Sequence, residues 1–322
     1  MIEGQEDVTW EDWVAIARAC ERSGVGTLFR SDHYYSVEDR PERGSLDALT
    51  TLGALAAITE KLRLGTMVSP ATFRHPSVFA KSIATIDEIS GGRVEPGLGA
   101  GWWDREHEAF GFDLPAMGPR MDAFEEQLEI ITRQWGEGSF SFDGEHFKIV
   151  DLDARPKPVQ QPMPFIVGGQ GGPRSMRIAV RWASEYNTIM SGPERIRELR
   201  GKLDAACEKH GRDPATLPLS LMTGWIVGET REEVVDRAAR LAQWQNKGDD
   251  GEKFLAEEAD DSWIVGTVEE AVEQLRALHE AGCHRIMAQH LLHRDTGAIE
   301  LIGREVAPRV EPFRPDSISG RI

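Results

Sequence analysis

Hydrophobic positions along the chain alternate between two spacings. Stretches with apolar residues three and four apart, the spacing of one helix face, are separated by short β-branched runs. Trp13, Ile16, Ala17 and Cys20 share one face of a helix predicted over residues 10–21, after Thr9 as cap and before Gly24 as stop. A short strand over 27–29 follows, then an apolar helix over 47–59 and a strand over 62–68. The next helix opens at Pro76, in the favoured first-turn position, and runs to 89; a strand over 93–99 comes after it. Phe124, Leu128, Ile131 and Trp135 share a face of a helix over 121–135. The second half keeps the rhythm. Strands are predicted over 164–167, 186–190, 219–227 and 285–289, and helices up to 182 and over 194–210, 231–244, 267–281 and 296–306.

Strands that alternate with helices imply βαβ units and a parallel sheet. The strands number about seven, and a stub at Met1, Ile2 and Glu3 supplies an eighth. Eight close a (β/α)8 TIM barrel, here with a first strand truncated by several residues. A doubly wound open sheet is the rival fold, but no GxGxxG follows the first strand. The barrel is expected to take in residues 1–322 as one domain, with insertions at about 101–120, 139–163 and 245–262. The second insertion should hold a hairpin turning at Asp143-Gly144. The third is polar and charged and reads as a long, mobile loop. Pro96, inside a strand, lacks the N–H that a ladder needs and leaves the pairing there unsettled.

Composition narrows the function classes. Hydrophobic residues make up 40% of the chain, enough for a full core, while the net charge of −17 repels phosphate backbones and argues against nucleic acid. No stretch approaches the ~20 apolar residues of a membrane span. The acidic start lacks the apolar run of a signal peptide. Cys20, Cys207 and Cys283 lie far apart and form no disulfide framework; Cys20 and Cys283 read as core filler. A cytoplasmic protein is expected.

In a parallel barrel, chemistry sits where strands end and helices begin. Asp32-His33 ends the second strand, where an imidazole beside a carboxylate can move a proton near neutral pH; a solvated, capped loop is the bland alternative. Met67-Val68 ends the next strand in a small-polar and proline cluster. Gly97 to Gly101, with Ala100, would let a ligand approach backbone closely, and Trp102 and Trp103 offer flat walls for a substrate or caps for the core. Gly168-Gly169-Gln170-Gly171-Gly172 precedes a helix and suits a phosphate. His290, at the end of the last strand, is a candidate pocket residue. No His-x-His pair lies on the first strand, so no metal is expected; Gly-x-Ser-x-Gly and P-loop motifs are absent too. Glu125-Glu126 and Glu257-Glu258 read as solvated faces.

Together these junctions resemble the bacterial luciferase-like oxidoreductases, and within them the branch that uses the deazaflavin coenzyme F420. The resemblance is carried by Ser31-Asp32-His33, by Leu62 to Val68 and by Phe73-Arg74-His75-Pro76. Ile89 to Glu95, Gly97 to Trp102, Pro156-Lys157-Pro158 and Val167-Gly168-Gly169 follow in order over about residues 5–310. It implies a cofactor at the carboxyl face of the barrel, with FMN as the alternative to F420. It also implies a non-proline cis peptide at Met67–Val68 behind the ring. Asp32 and His33 would line the ring and substrate side as the catalytic pair. Met67, Val68, Ala100, Gly101, Gly168, Gly169 and Ser191 would hold the cofactor. Trp102 stands where the sugar-phosphate dehydrogenases of the family carry glutamate, so a small apolar or aromatic substrate is expected, with Trp102, Trp103 and His290 around it. A homodimer is implied, and a separate reductase if the cofactor is FMN.

Overall fold

The computed structural model describes residues 1–310; residues 311–322 of the predicted domain lie outside the described residues. In chain order the elements of the first half are α1 (Trp10–Ser23), β1 (Thr27–Arg30), α2 (Ala48–Ile58), β2 (Arg63–Thr66), β3 (Ser69–Pro70), α3 (Pro76–Ser90), β4 (Val94–Glu95), β5 (Gly97–Gly99), α4 (Asp104–Phe110) and α5 (Met117–Trp135). The hairpin β6 (Phe140–Asp143) and β7 (Lys148–Leu152) follows. Then come β8 (Ile166–Gly168), α6 (Pro173–Trp182), β9 (Glu185–Ile189), α7 (Pro193–Lys209), β10 (Leu219–Gly228), α8 (Arg231–Trp244), α9 (Gly251–Glu258), β11 (Ile264–Thr267), α10 (Val268–Glu280), β12 (Cys283–Gln289) and α11 (Thr296–Leu301).

The barrel strands pair in parallel from β1 through β2, β4 with β5, β8, β9 and β10 to β12, with β3 continuing the edge of β2 onto β5. Met1 and Ile2 close the ring. The Ile2 N–H donates to Phe29 O at 3.0 Å and Ser31 N–H to Ile2 O at 3.1 Å on one side; on the other, His290 N–H donates to Met1 O at 2.9 Å. The stub is therefore a working eighth strand, bridged to Arg30. Inside the ring, at the amino ends of the strands, Arg285 reaches Glu95 at 2.7 Å and Glu185 at 3.1 Å, and Arg63 joins Glu95. Helices α1, α2, α3, α5, α6, α7 and α10 bury their apolar faces outside the ring. All three cysteines are buried, and burial pushes the Cys20 and Cys283 thiols up to about 12, as inert core residues.

The departures from expectation are local. Pro96 splits its strand into β4 and β5, but the ladder is repaired from the side. The Thr66 hydroxyl accepts from Gly97 N–H at 3.1 Å and donates to Gly97 O at 2.9 Å. The strand expected over 62–68 stops at Thr66, where the chain turns through a cis Met67–Val68 peptide. The expected mobile loop over 245–261 is corrected: it contains α9, whose Phe254 and Leu255 pack on Val234, Ala238, Leu241 and Ala242 of α8. Gly251 lets the two helices touch, since a Cβ there would overlap the Val235 carbonyl. Two apolar residues in a charged run are too few to show a helical period. Strand β11 escaped notice for a similar reason: four residues run straight into the Thr267 capping box of α10. It pairs with the outer half of β10, beyond the barrel wall. The hairpin stands where it was expected; Glu126 of α5 accepts from the N–H groups of Glu145, His146 and Phe147 across its turn. Among the described residues no helix is long and apolar enough to cross a membrane.

Gly65 of β2 tests the closeness of the barrel wall. A Cβ there would overlap the Glu95 carbonyl oxygen and the Phe29 ring. Gly65→Ala should destabilise the fold by about 1–3 kcal/mol in urea unfolding. Gly118→Ala, on an open turn of α5 with nothing near its Cβ, should be neutral or mildly stabilising.

Candidate functional site

The carboxyl ends of β1, β2 and β5 converge on one polar centre. Asp32, just past β1, is buried. Ser69 Oγ donates to its Oδ2 at 2.6 Å, and Arg74 clamps both oxygens, at 2.5 and 3.1 Å. The same guanidinium bonds Tyr34 Oη and Asp47 Oδ2, each at 2.9 Å. A buried carboxylate needs such partners, because desolvation of an unpaired charge costs more than any one contact returns. Burial pushes the Tyr34 hydroxyl up to about 12, so it stays protonated. Arg30, buried beneath this centre, has carbonyl rather than carboxylate partners: Ser31 O at 2.9 Å and Leu46 O at 2.9 Å. Burial pulls it down to about 10, still charged at neutral pH, and it pins the far end of the loop over residues 33–47.

His33 sits beside this ion pair and is held from another direction. Its Nδ1 lies 2.7 Å from Glu106 Oε2, and the other oxygen of Glu106 accepts from Tyr34 N–H at 2.5 Å and Tyr35 N–H at 3.2 Å. Glu106 is fully buried. Burial works against a charged imidazole here. The Glu106 hydrogen bond and the negative charges of Glu106, Glu3 and Asp32 outweigh it and raise the His33 pKa above its ordinary value. Trp102 and Trp103 stack on one another at 5.9 Å and meet the His33 ring edge-on at 5.9 and 6.0 Å. Trp102 is 61% exposed, far too open for a core residue, and forms an outer wall. The site thus combines a proton-bearing imidazole, two flat walls and a fixed carboxylate.

Val68 occupies the middle of the strand ends. Its methyls face Gly99 and Gly168, where a Cβ would come within 2.9 and 3.1 Å of them, and Gly97, which also faces the Thr66 carbonyl. At Gly97, Gly99 and Gly168 the small size also makes room for Val68. Met67 is buried with Phe29, Ile166 and Met287. Gly101 has φ +83° and no room for a Cβ against Thr72 Oγ1; Ala100, beside it, packs on the core.

The expected phosphate cradle needs a correction. Gly169 N–H donates to Asn187 O at 2.9 Å and Gly171 N–H to Tyr186 Oη at 2.8 Å, so both are already used. What stays open is the start of α6: no side chain caps it, and its first turn holds no acidic residue. Ser191 lines a groove of about 530 Å³ with Glu194, Glu198, Asp260 and Asp261 around Arg195, whose guanidinium reaches Gln170 O of the glycine-rich loop at 3.1 Å. His290 is not brought to His33. Its Nε2 lies 3.0 Å from Asp295 O in a separate small apolar cavity with Trp225 and Trp263, and burial pulls its pKa down to about 4. Glu125 pairs with Arg174 and Arg177, a surface role.

Sequence reasoning missed Glu106, and had Arg74 only as part of a resemblance. Arg74 was not singled out by position, since Arg30 at the end of β1 lies closer to Asp32 in the chain. Glu106 carried no signal, since it lies in a short helix among other charged residues with no period.

The luciferase-like monooxygenase profile matches residues 2–285. An uncharacterized protein of Mycobacterium tuberculosis is 32% identical over 189 residues, 54% of this chain. The match spans 66% of that relative, just under two thirds of its length. The FMNH2-dependent dimethylsulfone monooxygenase of Pseudomonas putida is 25% identical over 333 residues, covering 94% of this chain and 88% of the relative. Among solved structures, the coenzyme F420-dependent tetrahydromethanopterin reductase of Methanopyrus kandleri superposes with a TM-score of 0.79 at 21% identity, covering 96% of this chain and 97% of that one. At that identity the likeness speaks for the fold.

Removing Arg74 should expose how much the Asp32 centre depends on it. Arg74→Met leaves a buried carboxylate without its counter-charge and should cost about 3–5 kcal/mol in urea unfolding. The double variant Asp32→Asn/Arg74→Met removes the buried carboxylate together with its counter-charge and leaves the partly exposed Asp47 without its arginine, so it should recover part of that loss.

Proposed function

The chain belongs to the luciferase-like monooxygenase family, and we propose that within it the protein is an F420-dependent oxidoreductase. It transfers a hydride between the deazaflavin and a small apolar or aromatic organic substrate. The observation that carries this reading is His33, an imidazole of raised pKa held on a buried carboxylate between the strand ends and two tryptophans. A group of that kind suits a proton transfer that accompanies hydride transfer.

The residues present fit a flat ring with an anionic end. Val68 offers a half-buried apolar face at the strand ends, packed against Met67 and flanked by Gly99 and Gly168. Helix α6 begins behind Gly172 with its first-turn N–H groups uncapped, and the partial positive charge there suits a phosphate. Helix α7 begins in the same way behind Gly192, but Glu194 in its first turn and Asp261 close by screen it. The phosphate end is therefore assigned to α6 rather than to Ser191. When bound, a deazaflavin supplies a ring carbon that accepts or releases hydride. His33 takes the substrate proton in the oxidising direction and returns it in the reducing one. Asp32, immobilised by Ser69 and Arg74, gives the ring edge a fixed charge to orient against. Trp102 and Trp103 hold the substrate flat and exclude water. We further propose a homodimer.

A second reading is an FMN-dependent two-component monooxygenase with a separate reductase. The Pseudomonas putida relative, which matches over nearly the whole chain, favours it.

Fluorescence titration with F420 and with FMN tests the choice. Tighter binding of F420 is expected; tight FMN binding with no F420 binding would reverse it. With secondary alcohols as hydride donors and enones as acceptors, His33→Asn should lower turnover on the order of 10²–10⁴-fold while cofactor affinity is kept. The two directions should respond oppositely to pH. Substrate oxidation needs neutral His33 and rises as pH passes its raised pKa, whereas reduction needs the protonated ring and falls there.

A further inference from the structure

Glu106 has two oxygens and three donors around it, and the side chain is wholly buried. One oxygen faces His33 Nδ1 at 2.7 Å; the other takes the backbone N–H groups of Tyr34 and Tyr35. The carboxylate sits on α4, immediately after the two tryptophans that wall the site. An ionised carboxylate only accepts hydrogen bonds, so the ring nitrogen facing it must be a donor. We propose that Glu106 is the positioning residue of the site: it fixes neutral His33 with its proton on Nδ1, turns Nε2 to the substrate, and locks the turn at Tyr34 and Tyr35 with the same side chain. This rests on the reading of His33 as the proton-transfer group, but its first consequence is a property of the resting protein.

The charged groups that face His33 come from three elements. Glu106 faces it from α4, Glu3 from the first strand and Asp32 from the end of its own strand. Asp32 is tied to Arg74, and Glu3 is held by the amides of Gln5, at 2.9 Å, and Gln289, at 2.6 Å. Of these, Glu106 is the one in hydrogen-bond contact with the ring. A glutamine at this position keeps the shape but has one accepting arm and one donating arm. The accepting oxygen is claimed by Tyr34 and Tyr35. The amide NH2 then faces Nδ1, which must accept, and the neutral ring has to carry its proton on Nε2.

Long-range proton–nitrogen NMR on the full chain, without cofactor, reads this directly, with His33→Asn to assign the resonances. Above the titration, wild-type His33 should be Nδ1-protonated. In Glu106→Gln it should be Nε2-protonated, with the titration midpoint lower by roughly 1–3 pH units. Glu106→Asp should retain the wild-type tautomer. Turnover of Glu106→Gln should fall through kcat, with KM and cofactor affinity little changed. An unaltered tautomer and midpoint in folded Glu106→Gln would overturn the assignment. If that variant does not fold, the wild-type spectrum decides, since an Nε2-protonated neutral ring refutes it outright. A switched tautomer in a protein without any hydride-transfer activity would sink the functional reading and leave the role of Glu106 standing.

Discussion

The carboxylate of Glu106 joins segments that lie 73 residues apart in the chain. Buried without solvent, it must have every strong acceptor site met, and the groups that meet it are the His33 ring and the first two N–H groups of the loop that follows. The requirement runs both ways. The loop over residues 33–47 leaves the barrel with unpaired donors, and the insertion after β5 supplies the acceptor for them. At its far end the loop is held by Arg30 through the carbonyl of Leu46, and in its middle by Glu6, which accepts from Ser36 Oγ at 2.7 Å and Val37 N–H at 2.9 Å. A segment with almost no regular structure is thereby fixed at three points by buried charges, and the walls of the site inherit its rigidity.

The architecture was legible because the signals that make a barrel repeat. Helices with long apolar faces, such as α1 and α5, show their period over several turns, and the alternation with strands fixes the topology by rule. Elements without a period were lost. Helix α9 has two buried apolar residues, and β11 has four residues that lead straight into a helix cap. The eighth strand was legible as a stub but its pairing was not, because its partners lie some 27 and 287 residues away, which no local pattern records.

The site was legible by position and less so by role. Asp32 and His33 stand out as a charged pair at a strand end, and the structure brings His33 together with Trp102 and Trp103. Their partners did not stand out, because Arg74 and Glu106 matter through distance in space. The glycine-rich loops misled in a specific way. Glycine marks a place where something comes close, and the sequence does not say what. At Gly99 and Gly168 the close object is Val68, and at Gly169 and Gly171 the backbone N–H groups already serve Asn187 and Tyr186.

The seating of Val68 has an evolutionary consequence. Gly99 and Gly168 belong to different strands, yet the nearest groups that a Cβ at either would meet are those of Val68. Alanine at Gly99 forces Val68 to shift, and it becomes tolerable once residue 68 is trimmed; at Gly168 the approach is tight but less close. Gly97 gains no such relief, since the Thr66 carbonyl also stands over it. Lineages descending from this chain should therefore change residue 68 before residue 99, while residue 97 stays fixed.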